Sequence, residues 1–109
     1  MDNLEEELLE NPTLIWGRSA MQIQASFQKV GYGATIEQST KGSKRSIQIR
    51  IHGHPDITNI QVHPGGGRHL GRYYKISTST QDKIKVVDKA YKPIVGEKAK
   101  IIYVDENKE

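Results

Sequence analysis

Residues 46–52 read SIQIRIH, and this alternation decides the fold. Ile47, Ile49 and Ile51 fall on one side of an extended chain, and Gln48, Arg50 and His52 on the other. A segment with this period is a strand with one buried face. Residues 58–63, TNIQVH, repeat the pattern, with Ile60 and Val62 opposed by Gln61 and His63. Moving outward, further strands are predicted at 34–39 (ATIEQS), 72–79 (RYYKISTS), 82–88 (DKIKVVD) and 99–104 (AKIIYV). A basic turn, TKGSKR, fills 40–45, and the loop PGGGRHLG fills 64–71.

Before Tyr32 the period is helical. In residues 19–30, SAMQIQASFQKV, Ser19 and Gln22 spell a capping box. Ala20, Ile23, Phe27 and Val30 form one core-facing stripe, and Gly31 can take the left-handed position after the last turn. Residues 2–10, DNLEEELLE, predict a short acidic helix capped by Asp2, with Leu4, Leu8 and Leu9 on one face. Asn11-Pro12 stops it. Helices followed by a run of strands predict an α+β fold: one or two N-terminal helices on a single antiparallel sheet of four to six strands. The helix should cover the isoleucine face.

At 109 residues the chain suits a single domain, with the acidic helix at 2–10, the body at 18–104 and an acidic tail at 105–109. No apolar run approaches the roughly 20 residues that span a bilayer, and no signal peptide is visible. With no cysteine, disulfides and thiolate zinc sites are excluded. Charge is uneven. Residues 41–100 hold 13 Lys and Arg against Asp56, Asp82, Asp88 and Glu97, whereas residues 1–10 hold five acids and no base. A basic body between acidic ends points to a polyanionic partner. A solvated, lysine-rich β surface is the plainer reading.

All four histidines (His52, His54, His63, His69) lie within 18 residues. The face opposite the isoleucines collects Gln48, Arg50, His52, Gln61, His63, Tyr73, Lys75, Ser77, Lys83 and Lys85. Imidazoles beside cations and hydroxyls suit phosphodiester chemistry, where one group takes a proton, another gives one, and cations hold the phosphorane charge. Histidine titrates nearest neutrality. With RNA the 2′-hydroxyl is the nucleophile, so the reaction needs no metal or cofactor and yields a 2′,3′-cyclic phosphate. Gly65, Gly66 and Gly67 let backbone approach a phosphate, Arg68 and Arg72 offer forked donors, and Tyr73 can stack on a base. The same histidines can be read as metal ligands, His52 and His54 with His63, His69 or Asp56, which would suit a metal-dependent DNase. A non-catalytic nucleic-acid-binding module, or a basic face for an acidic protein, are further readings.

The segments SAMQIQASFQKVGYGATIEQS, KRSIQIRIHG, NIQVHPGGGRHLGRYYKIS and KIKVVD, within residues 18–90, resemble the C-terminal toxin domains of bacterial polymorphic toxins. The likeness is to the metal-independent ribonucleases of the barnase/EndoU/colicin/RelE-like group. It rests on order, spacing and the GGRH…YYKIS segment. It implies a curved sheet and a catalytic concave face. His63 or His69, with His54 a further candidate, would act as base or acid. Arg68 and Lys75 would hold phosphate, and Ser77 or Thr78 would supply a hydroxyl. Arg50, Arg72, Tyr73, Lys83 and Lys85 would contact RNA. The acidic base of barnase-type enzymes has only Glu37 as a candidate. The resemblance also implies secretion within a larger toxin, action in a target-cell cytoplasm, a monomeric free domain, and an acidic immunity protein.

Overall fold

The computed structural model describes residues 3–38, 46–64, 72–93 and 95–104. Two helices pack on one side of an open six-stranded sheet, in the order β1-β2-β3-β4-β5-β6. The strands are β1 (Gly33–Gln38), β2 (Ile47–His52), β3 (Ile57–His63), β4 (Tyr73–Thr78), β5 (Ile84–Val87) and β6 (Lys100–Tyr103). The α+β expectation therefore holds. The first four pairings are antiparallel, but β5 and β6 run parallel. That departs from the all-antiparallel expectation. A hairpin cannot join parallel strands, so residues 88–99 must cross over a face of the sheet.

Register explains the core. Ile36 pairs with Ile49, Ile49 with Ile60, Ile60 with Ile76, and Ile76 with Ile84. One row of isoleucines thus crosses five strands on the helix side. Ile49, Ile60 and Ile76 are fully buried there. Helix α2 (Ala20–Gln28) lays Ala20, Ile23 and Phe27 on this row. Its start is set by the predicted capping box: the Ser19 hydroxyl accepts from Gln22 N at 3.1 Å, and the Gln22 side chain accepts from Ser19 N at 2.9 Å. The helix stops at Gln28, two residues earlier than the stripe predicted. Val30 consequently lies outside it and is 49% exposed. Gly31, at φ +100°, provides the reversal into β1.

Helix α1 is shorter than predicted, only Leu4–Glu7, and its described cap residue, Asn3, makes no side-chain capping bond. Asp2, the predicted cap, lies outside the described residues. Packing holds α1 in place. Leu4 and Leu8 are fully buried beside Ile15, which belongs to a 3₁₀ turn at Pro12–Ile15.

The core row makes a direct prediction. Ile60→Ala, at the middle of the row, should cost about 3–4 kcal/mol by loss of transfer energy and opening of a cavity. Met21→Ala, on the exposed side of α2, should change stability by less than about 0.5 kcal/mol. Urea unfolding of the two variants checks the contrast.

Candidate functional site

The helix-free face is divided in two. Toward β5 and β6 it is covered. The crossover brings Tyr91 down onto Tyr73, Val87 and Ile101, forming a second small cluster. Ile84 and Val86 lie in the helix-side core, so this cover leaves all four residues of β5 buried, including Lys85, whose side chain keeps 9% of its exposure. A buried ammonium needs a counter-ion. Lys85 Nζ donates to Glu97 Oε1 at 2.8 Å and to Tyr91 Oη at 3.0 Å, and Tyr91 Oη donates to the same carboxylate oxygen at 3.0 Å. The Lys85 ammonium also lies 4.9 Å from the Tyr73 ring centroid. Burial works against charge on both Lys85 and Glu97. The hydrogen bonds within the triad outweigh it, so Lys85 is pushed up and Glu97 down from their ordinary values.

Tyr73 was predicted to stack on a base. It is instead 6% exposed, with His63 stacked on it at 4.7 Å and 6° between ring planes. Tyr73 and Lys85 are therefore supports beneath the face and not contacts on its surface. His63 is itself 6% exposed and joins the candidate site at its edge.

Toward β2 and β3 the face is open. Lys75 stands at its centre, opposite Gln61 on β3 and Lys85 on β5. Lys75 is half-buried and makes no hydrogen bond or ion pair among the described residues. Burial chiefly, then the like charges of Lys83 and Lys85, hold its ammonium below the usual lysine value. Ser77 lies two residues on, on the same face, and pairs across with Asn59. Asn59 Oδ1 is buried with no donor facing it. Arg50 pairs with Asn59 on the other side, and its Nε bonds Glu37 Oε2 at 3.0 Å in an exposed ion pair. Such pairs contribute little to stability. Lys83 is exposed just before β5.

Other expected site residues lie elsewhere. His54 is on the helix side, against Phe27 and Tyr32. Its Nδ1 accepts from the backbone N–H of Asp56 and of Ile57, both at 3.0 Å, and its Nε2 meets the Glu5 carbonyl at 3.1 Å. With Nδ1 accepting, the Nε2–H tautomer donates to Glu5, and the ring ties α1 to the start of β3. Both nitrogens are thus occupied by backbone, away from the open face. Thr78, the last residue of β4, has its hydroxyl tied to the turn that follows. Its hydroxyl accepts from Gln81 N at 3.0 Å and donates to Gln81 O at 2.8 Å. Arg72 falls on the helix side, 4.7 Å over the ring of Trp16. His69, Arg68, Gly65, Gly66 and Gly67 lie outside the described residues. His52 is exposed at the end of β2. Among the described residues, no group of three His, Cys, Asp or Glu could hold a metal ion.

The open face thus brings together Lys75, Ser77, His63, Arg50 and Asn59, with Lys85 and Tyr73 beneath. Reasoning from sequence missed Tyr91 and Glu97. The ten-residue stretch between two predicted strands, 89–98, was their one signal, since it is too long for a tight hairpin. No protein-family model, curated protein or solved structure matches the chain.

Two predictions follow the charges. Glu97→Gln strands a buried ammonium and should cost about 3 kcal/mol at neutral pH. Because the folded pKa of Glu97 is depressed, the wild-type advantage is present above 4.5 and fades as pH falls through the folded value. The two proteins should therefore converge in thermal stability in acid. Lys75→Met should act oppositely and stabilise at neutral pH, since it removes an uncompensated cation. The depressed folded pKa of Lys75 means that this gain shrinks as pH rises through that value toward 10.5. Thermal melts across pH read both slopes.

Proposed function

We propose that the open face binds a phosphodiester and that the protein is a metal-independent endoribonuclease. One observation carries this reading: Lys75, a half-buried cation with no hydrogen bond or ion pair among the described residues, stands among Ser77, Asn59 and His63 on the face the helices leave free. A phosphate would supply the missing charge.

In the proposed reaction the 2′-oxygen attacks phosphorus and the P–O5′ bond breaks. One group takes the 2′-hydroxyl proton and another protonates the departing 5′-oxygen. His63 and His69 are nominated for these two roles. The Lys75 ammonium and Ser77 hydroxyl hold the charge on the phosphorane oxygens. The products are a 2′,3′-cyclic phosphate and a 5′-hydroxyl. The wider reading of a secreted toxin domain belongs to the same proposal. It would act as a monomer in a target-cell cytoplasm and be held inactive by an acidic partner over this face.

The burial of His63 against Tyr73 favours a second reading, a module that binds RNA without cutting it. Purified protein is therefore incubated with total RNA and with plasmid DNA, each with and without excess EDTA. The expected result is RNA cleavage that survives EDTA and leaves cyclic-phosphate ends. Lys75→Met should lower the rate at least about 100-fold, the scale of losing one charge-stabilising donor, while the fold is retained. RNA binding without cleavage supports the second reading. DNA cleavage abolished by EDTA overturns both.

A further inference from the structure

We propose that Arg72 and Trp16 form a stacking step for an unpaired base of single-stranded RNA, at the start of β4 and outside the phosphodiester site. This rests on the reading of the protein as RNA-binding.

Arg72 immediately precedes β4, so the alternation that sends Tyr73 to the helix-free face sends Arg72 to the other side. Its guanidinium carbon lies 4.7 Å from the centre of the Trp16 ring. Behind it the indole is fixed. Trp16 meets Tyr74 edge-on at 5.6 Å and 64°. Tyr74 is 5% exposed and donates from its hydroxyl to the Arg18 carbonyl at 2.7 Å. Arg18 Nε in turn donates to the Leu14 carbonyl at 2.8 Å. The platform beneath Arg72 is therefore part of the packed core.

Arg72 itself is exposed and has no carboxylate partner among the described residues. The guanidinium sits over the indole while the residue stays exposed, so part of it is left for a ligand. Burial raises the Tyr74 hydroxyl, and the nearby Arg72 charge pulls it back. A flat cationic surface on a rigid aromatic base matches a nucleobase, which stacks, carried on a phosphate backbone, which answers the charge. The location adds continuity. Consecutive residues, Arg72 and Tyr73, point to opposite sides of the sheet at the start of β4, so the two sites flank one strand end.

Trp16 is the single tryptophan of the chain, so its fluorescence reports the step directly. The probe is a 12-nucleotide 2′-O-methyl RNA, which lacks the attacking hydroxyl and cannot be cut by this route. Binding is read by probe anisotropy and by Trp16 emission. Wild type should quench on binding, and Arg72→Ala should weaken affinity about tenfold, the scale of one stacked base. Arg72→Lys should recover only part of the loss, because an ammonium keeps the charge without the plane. Affinity unchanged in Arg72→Ala, full recovery in Arg72→Lys, or binding with no change in Trp16 emission overturns the proposal. Binding that depends on Arg72 in a protein that cuts no RNA leaves this inference standing and the nuclease reading fallen. Cleavage with Arg72-independent binding does the reverse. No binding by the wild-type protein defeats both.

Discussion

The row of isoleucines that crosses β1 to β5 is the constraint on which the rest depends. Each member is β-branched, so it suits the pleated strand, and each packs on the next at cross-strand distance. The row also fixes register. Slipping any strand by one residue would send its isoleucine to the opposite face and bring Gln48, Gln61 or Lys75 under the helices. Because α2 and α1 can cover only one face, this single choice determines which side chains remain on the other. The polar face is thus a consequence of the apolar one.

The second constraint is the parallel pairing of β5 with β6. It obliges residues 88–99 to cross the sheet, and they do so on the helix-free side, where Tyr91 finds Tyr73 and Val87. The crossing buries Lys85, and burial calls for Glu97. The site is therefore narrower than the face. Its floor is set by the stack of His63 on Tyr73 and by the Lys85–Tyr91–Glu97 triad, and its open part lies over β2, β3 and the outer half of β4.

What the sequence made legible follows from which interactions are local. Alternation and the Ser19–Gln22 capping box are written within a few residues, and the strands, the helix start and the facing of Lys75 and Ser77 could all be read. The end of α2 was misjudged because Val30 fits the stripe, while the turn at Gly31 had already ended the helix. His54 was assigned to chemistry because imidazoles near one another in sequence suggest a site. Its role depends on Asp56, Ile57 and Glu5, the last 49 residues away. Thr78 is similar, since a hydroxyl one residue from Ser77 belongs to a turn. The direction of β6 and the descent of Tyr91 depend on contacts that no local pattern encodes.

Lys75 and Lys85 make the sharpest comparison in the molecule. They are cross-strand partners on the same face, and both lose water on folding. Lys85 is answered from within the chain by a carboxylate and a phenol, and its charge is held more firmly for it. Lys75 makes no such bond among the described residues. Burial and the like charges of Lys83 and Lys85 outweigh the more distant pull of Glu97, so the fold destabilises its charge. The fold places Glu97 in hydrogen-bond contact with one lysine of the pair and not with the other. An anion arriving at Lys75 would meet a cation already stripped of part of its water, where the attraction is stronger than at the surface. That difference in environment, more than the count of basic residues, locates the site on the open half of the face.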